Sequence, residues 1–149
     1  QHHSRRFTGG EMIICICQRG NVRSATTVQV LRDFFGIGDV FAIGKDTMSE
    51  GFLYRVGKGE ETQVLIVGDE PLVEWFDHAY PELTRIHINV GIDRWLMPAH
   101  PDLVARVVRE LLAVGFAPTG SFGADPNTYI AAHTAAWNRH HMMPHMIPA

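Results

Sequence analysis

The chain has 149 residues, 46% of them apolar, with 16 acidic against 13 basic side chains and a net charge of -3. That is enough chain for one domain with a substantial core. The lack of a basic excess argues against an extended nucleic-acid footprint, though not against action on a small phosphorylated nucleotide, and no apolar run approaches the roughly 20 residues of a membrane span.

The opening stretch, QHHSRRFTGGEM, has no apolar core behind its basic residues and does not read as a secretory signal. His2–His3 and Gly9–Gly10 resemble remnants of a tag and linker, with Met12 as a natural start. Residues 1–11 are therefore read as a tag and linker or a disordered arm, residues 12–116 as an α/β domain, and 117–149 as a C-terminal extension, partly helical or irregular.

Met12–Ile16 is an apolar strand, followed by a loop from Cys17 to Arg23 and a helix over Ser24–Phe35, with Ser24 or a neighbour near its cap. Gly36 and Gly38 end that helix, and Val40–Ile43 is a second strand. Thr47 and Glu50 have capping-box spacing, predicting a helix that carries Met48, Phe52, Leu53 and Val56. Val64–Val67 is apolar throughout, as befits a central strand of a parallel sheet. Pro71 opens a helix with Leu72, Val73, Trp75, Phe76 and Tyr80, and Pro81 stops it. Ile86–Val90 is a fourth strand, and Gly91–Trp95 leaves it as a loop. Pro101 then begins a strongly amphipathic helix through Leu103, Val104, Val107, Val108, Leu111 and Leu112. Thr128–Asn138 is a short helix, and the residues beyond it read as a tail.

Strand alternating with helix four times is the pattern of a three-layer, doubly wound α/β domain with a four-stranded parallel sheet. Ligands of such sheets bind beyond the carboxyl ends of the strands. Cys17, Gly68–Asp69 and Asp93 all fall there.

Cys17 leaves a strand, and Arg23 and Ser24 follow at a helix start after a five-residue loop. Backbone N–H groups of a loop curled over a helix N-terminus favour an anion, and the same field favours the thiolate of a cysteine placed there. The amides of Gln18, Arg19, Gly20, Asn21 and Val22, with Arg23 and Ser24, would cradle the oxygens of a phosphate. Arginine suits this because its planar fork binds phosphate bidentately. Ser24 would donate to the Cys17 sulfur, and Gly20 permits close backbone approach.

CQRGNVRS, between IICI and an amphipathic helix, resembles the phosphate loop of the low-molecular-weight protein tyrosine phosphatases, and more closely that of their short predicted relatives. The resemblance implies a cysteinyl-phosphate intermediate, no metal and no cofactor. It also implies an acid on the loop before the last helix. Asp93, in GIDRWLMPAHPDLVARVVRELL, holds that place, and Arg94 and Trp95 would wall the substrate. Asp125–Pro126 matches the family's Asp-Pro dipeptide better but follows the long helix instead of a strand. Family loops carry asparagine where this chain has Gly20, with Asn21 one position later, and often a second cysteine where this chain has Val22.

Catalysis would need a nucleophile and a separate acid. The expected activity is thus phosphomonoester hydrolysis by Cys17, Arg23 and Asp93, and the family resemblance implies a phosphotyrosine protein as substrate. The alternatives are a small phosphorylated metabolite or nucleotide, to which Arg19 and Arg94 would add positive charge, and a non-catalytic phosphate-binding module. The only two cysteines, Cys15 and Cys17, share one strand end and cannot staple distant parts of the fold, which fits a cytoplasmic setting. Cys15 reads as a core thiol. His140, His141 and His145 lack accompanying ligands at a defined spacing, so incidental metal binding is all they suggest.

Overall fold

A computed structural model describes residues 12–49, 51–56, 62–91, 97–119, 123 and 125–141. Within them the chain forms β1 (Met12–Cys17), α1 (Arg23–Asp33), β2 (Val40–Gly44), α2 (Phe52–Val56), β3 (Thr62–Gly68), α3 (Glu70–Ala79), β4 (Ile86–Asn89), α4 (Pro101–Ala113) and α5 (Pro126–His141). The four strands are all parallel, in the order β2-β1-β3-β4. This is the α/β alternation expected, compatible with a three-layer fold.

The apolar runs of β1 and β3 follow from burial on both faces. On β1, Ile13, Cys15 and Cys17 face α1, α4 and α5, where Val28, Leu31, Leu103, Val107 and Tyr129 close one core. Ile14 and Ile16 point the other way, into a second core with Leu53 of α2 and Leu72 and Phe76 of α3. Strand period two therefore places the Cys17 side chain on the α1 face.

Three elements differ from expectation. No helix begins at Thr47: that residue closes a turn after β2, its hydroxyl donating to Gly44 O at 3.3 Å. The helix starts at Phe52, directly after Gly51 at φ +79. A glycine with positive φ is a break that capping-box spacing alone does not reveal. In α1 the cap position is Val22, with no side-chain cap bond, so Ser24 lies inside the first turn. The last helix runs from Pro126 to His141, longer than Thr128–Asn138. Tyr129 joins it to the first core, 2% exposed and stacked on Phe34 with ring centroids 5.1 Å apart.

The strand order has a topological consequence. The chain leaves β1 towards β2 on one side, whereas β3 lies on the other and leads outward to β4. The connections diverge above β1 and β3, the place where open α/β sheets form their ligand crevice. Cys17 ends one of those strands and Gly68 the other.

Candidate functional site

The sulfur of Cys17 sits at the carboxyl end of β1, 3% exposed. It lies 3.1 Å from Ser24 Oγ and accepts the Gly20 N–H at 3.2 Å. One loop amide and one hydroxyl thus already converge on it, an arrangement suited to a sulfur carrying negative charge. Ser24 is fully buried in the first turn of α1, whose uncapped N–H groups open towards the same end.

The loop is fastened to the end of β2. Lys45 N–H donates to Cys17 O at 2.9 Å, Asp46 N–H donates to Gln18 O at 3.0 Å, and Gln18 Nε2 donates to Asp46 Oδ1 at 2.8 Å. Gly20, at φ +82, rests on Gly44: a Cβ on Gly20 would stand 2.6 Å from the carbonyl carbon of Ile43. A Cβ on Gly44 would in turn stand 2.7 Å from Arg19 Cα. Two missing side chains let the loop lie flat on the sheet edge. Arg19 and Asn21 are exposed on its outer surface, and Gln18 and Val22 are half-buried.

Arg23 is 2% exposed. Its Nη1 donates to Gly91 O, just beyond β4, at 2.8 Å. The guanidinium lies over Gly68 so closely that a Cβ there would be 2.7 Å from Nη1. From the other strand, His87 Nε2 donates to Gly68 O at 2.8 Å, with Glu70 Oε2 3.6 Å from its Nδ1. The ends of β3 and β4 therefore converge on one arginine.

The chain matches no protein-family model, no curated protein and no solved structure. The site must be judged by its own geometry.

Of the residues singled out in the sequence, Cys17, Gln18, Arg19, Gly20, Asn21, Val22, Arg23 and Ser24 are brought into one loop and helix start. Asp93, Arg94 and Trp95 lie outside the described residues. Asp125 is elsewhere, capping α5: Oδ1 accepts from Asn127 N–H at 3.0 Å and Oδ2 from the Thr128 hydroxyl at 2.7 Å. The Thr128 hydroxyl bond, with the Asn127 N–H, holds its carboxyl below the usual carboxylate range. Cys15 is a fully buried free thiol, its ionisation pushed up by burial and, secondarily, by Cys17 nearby.

No group of three or more metal-ligating side chains occurs among the described residues, and no described helix is long and apolar enough to cross a membrane. Sequence reading missed Gly44, Gly68 and Gly91 as spacers and acceptor. It also missed Thr26, whose hydroxyl donates to Val22 O at 2.7 Å and accepts from Ala99 N–H at 2.8 Å. The available signal was the run Ser-Ala-Thr-Thr opening α1: polar side chains buried at a helix start must have partners.

Proposed function

We propose that this chain is a cysteine-dependent phosphomonoester hydrolase of the low-molecular-weight tyrosine phosphatase type. The observation that carries the reading is the Cys17 sulfur set between the Gly20 N–H and Ser24 Oγ at the carboxyl end of a central strand, over a helix N-terminus. Further support comes from Arg23, buried at the same strand ends.

In this mechanism the Cys17 thiolate attacks phosphorus in line, forming an S–P bond as the bond to the leaving oxygen breaks. The loop amides and Arg23 hold the equatorial oxygens, supplying preorganised positive charge where negative charge is shared. Asp93, two residues after the Gly91 that accepts from Arg23, gives its proton to the leaving oxygen. Water then attacks phosphorus, Asp93 takes its proton, and the S–P bond breaks to release phosphate and the thiolate. Ser24 stabilises the departing sulfur.

The test is turnover of para-nitrophenyl phosphate with inhibition by orthovanadate. Cys17→Ser is expected to abolish turnover and keep part of the vanadate affinity. Full activity in that variant would sink the proposal. Binding of vanadate by a wild-type chain without turnover would instead leave a phosphate-binding module. A panel of phosphotyrosine peptides, nucleotides and sugar phosphates then identifies the substrate class.

A further inference from the structure

We infer that His133, on the C-terminal helix α5, is a positioning residue for the phosphate loop, acting through Ala99 and Thr26. The inference rests on reading residues 17–24 as the oxyanion site. His133 Nε2 donates to Ala99 O at 2.7 Å. Ala99 N–H donates to Thr26 Oγ1 at 2.8 Å, and that hydroxyl donates to Val22 O at 2.7 Å. Val22 is the last loop residue and the cap of α1. A continuous chain of three hydrogen bonds thus runs from α5 to the loop, and in each the donor's own group is fixed by the next.

Ala99 marks the chain as more than packing. It is the one non-glycine residue at positive φ among the described residues, at +63. Such a conformation strains an alanine and persists only where its surroundings over-determine it. Here both polar groups of Ala99 are held, by α1 on one side and α5 on the other. α5 is itself anchored independently of His133, through Tyr129 stacked on Phe34. Its orientation on α1 is therefore set before the imidazole is counted, which leaves His133 to fix Ala99.

There is a second link between the same elements. Arg23 Nη1 donates to Gly91 O, so Gly91 and Ala99 are both bonded to the first turn of α1, through Arg23 and Thr26. Removing the His133 donor loosens the Ala99 end alone. The expected consequence is greater opening of the loop and weaker retention of an oxyanion, while the sheet stays intact.

Amide hydrogen exchange of His133→Phe and His133→Gln tests this directly, because it does not depend on turnover. Phenylalanine keeps a ring beside Tyr129 without the donor, and glutamine returns an amide N–H at similar reach. In His133→Phe the amides of residues 20–26 are expected to exchange about fivefold faster, the worth of one net hydrogen bond, with those of β3 unchanged. His133→Gln is expected to restore slow exchange. The vanadate inhibition constant should rise and recover in parallel. Equal acceleration in both variants, or none in either, overturns the inference. Should His133→Phe fail to fold, Thr26→Val breaks the same chain one step later and must give the same exchange pattern. Para-nitrophenyl phosphate turnover by the wild type separates the two claims. An inactive wild type whose His133→Phe variant opens at residues 20–26 refutes the phosphatase and keeps the positioning role, and an active one with unchanged exchange does the reverse.

Discussion

Gly20 lies on Gly44 backbone to backbone: a Cβ on Gly20 would enter the main chain of Ile43 and Gly44, and one on Gly44 would enter that of Arg19, the residue before Gly20. The Cys17–Ser24 loop can reach over the end of β2 only because both positions lack a side chain. The neighbours here are backbone atoms, which cannot rotate aside as a side chain can. Gly44→Ala is therefore expected to cost about 2–4 kcal/mol, in the range of the severest single substitutions. Urea unfolding measures it. A loss well under 1 kcal/mol would show that the loop can lift from the strand cheaply.

Gly68→Ala should behave in the opposite manner. The added Cβ would meet Arg23 Nη1 at 2.7 Å and Leu72 Cδ2 at 2.8 Å, both ends of flexible side chains. Stability is expected to change by less than about 1 kcal/mol. The displaced guanidinium should lower vanadate or phosphate affinity about tenfold, the worth of one charge-assisted hydrogen bond. Titration of inorganic phosphate beside urea unfolding reads both. Equal affinity would mean that Arg23 does not meet the anion from this position.

The two aspartates can be told apart by leaving group. Asp93→Ala is expected to reduce turnover of alkyl phosphates by about 10²–10⁴ and of activated aryl phosphates much less, the signature of a lost general acid. Asp125→Ala removes the cap of α5 and should lower Tm while leaving that sensitivity unchanged. The reverse pattern would transfer the acid role to Asp125.

Cys15 predicts an alkaline loss of stability. Burial raises its folded-state pKa well above the ordinary thiol value near 8.5. Below that value both folded and unfolded chains keep the proton, and the contribution is fully present. Above it the unfolded thiol ionises first, so the unfolded state binds fewer protons and stability falls, by up to about 1.4 kcal/mol per pH unit. Urea midpoints of wild type and Cys15→Ala between pH 8 and 10 should converge as pH rises. Parallel curves would refute the linkage.

Much of the architecture was legible because it is written in periodicity. The apolar runs of β1 and β3 and the broad apolar face of α4 are local patterns, and each element lies within a few residues of its expected place. The Cys17–Ser24 loop was legible for the same reason, since its parts are neighbours in sequence. What escaped reading depends on distant contacts. Nothing near Gly44 announces that Arg19 lies on it, and nothing near His133 announces Ala99. The Thr47 capping box misled because it scored two residues by spacing while Gly51, at positive φ, decided where a helix could begin. His100, the cap of α4, and Trp137 of α5 make ring contact at 5.0 Å across 37 residues, a pairing of the kind no local window contains.

The hydrogen bonds from Arg23 to Gly91 and from Ala99 to Thr26 span 68 and 73 residues. The loop begins at Cys17, yet Arg23 meets its Gly91 acceptor only once β4 has docked, and Thr26 its Ala99 donor only once the segment before α4 has. An anion bound as proposed would therefore select for the finished tertiary structure and against partly folded forms in which only β1, α1 and β2 are assembled. Phosphate at a hundred times its dissociation constant should then stabilise the whole domain by about 2.7 kcal/mol, making a small ligand at the N-terminal third a sensor of whether the C-terminal half is in place.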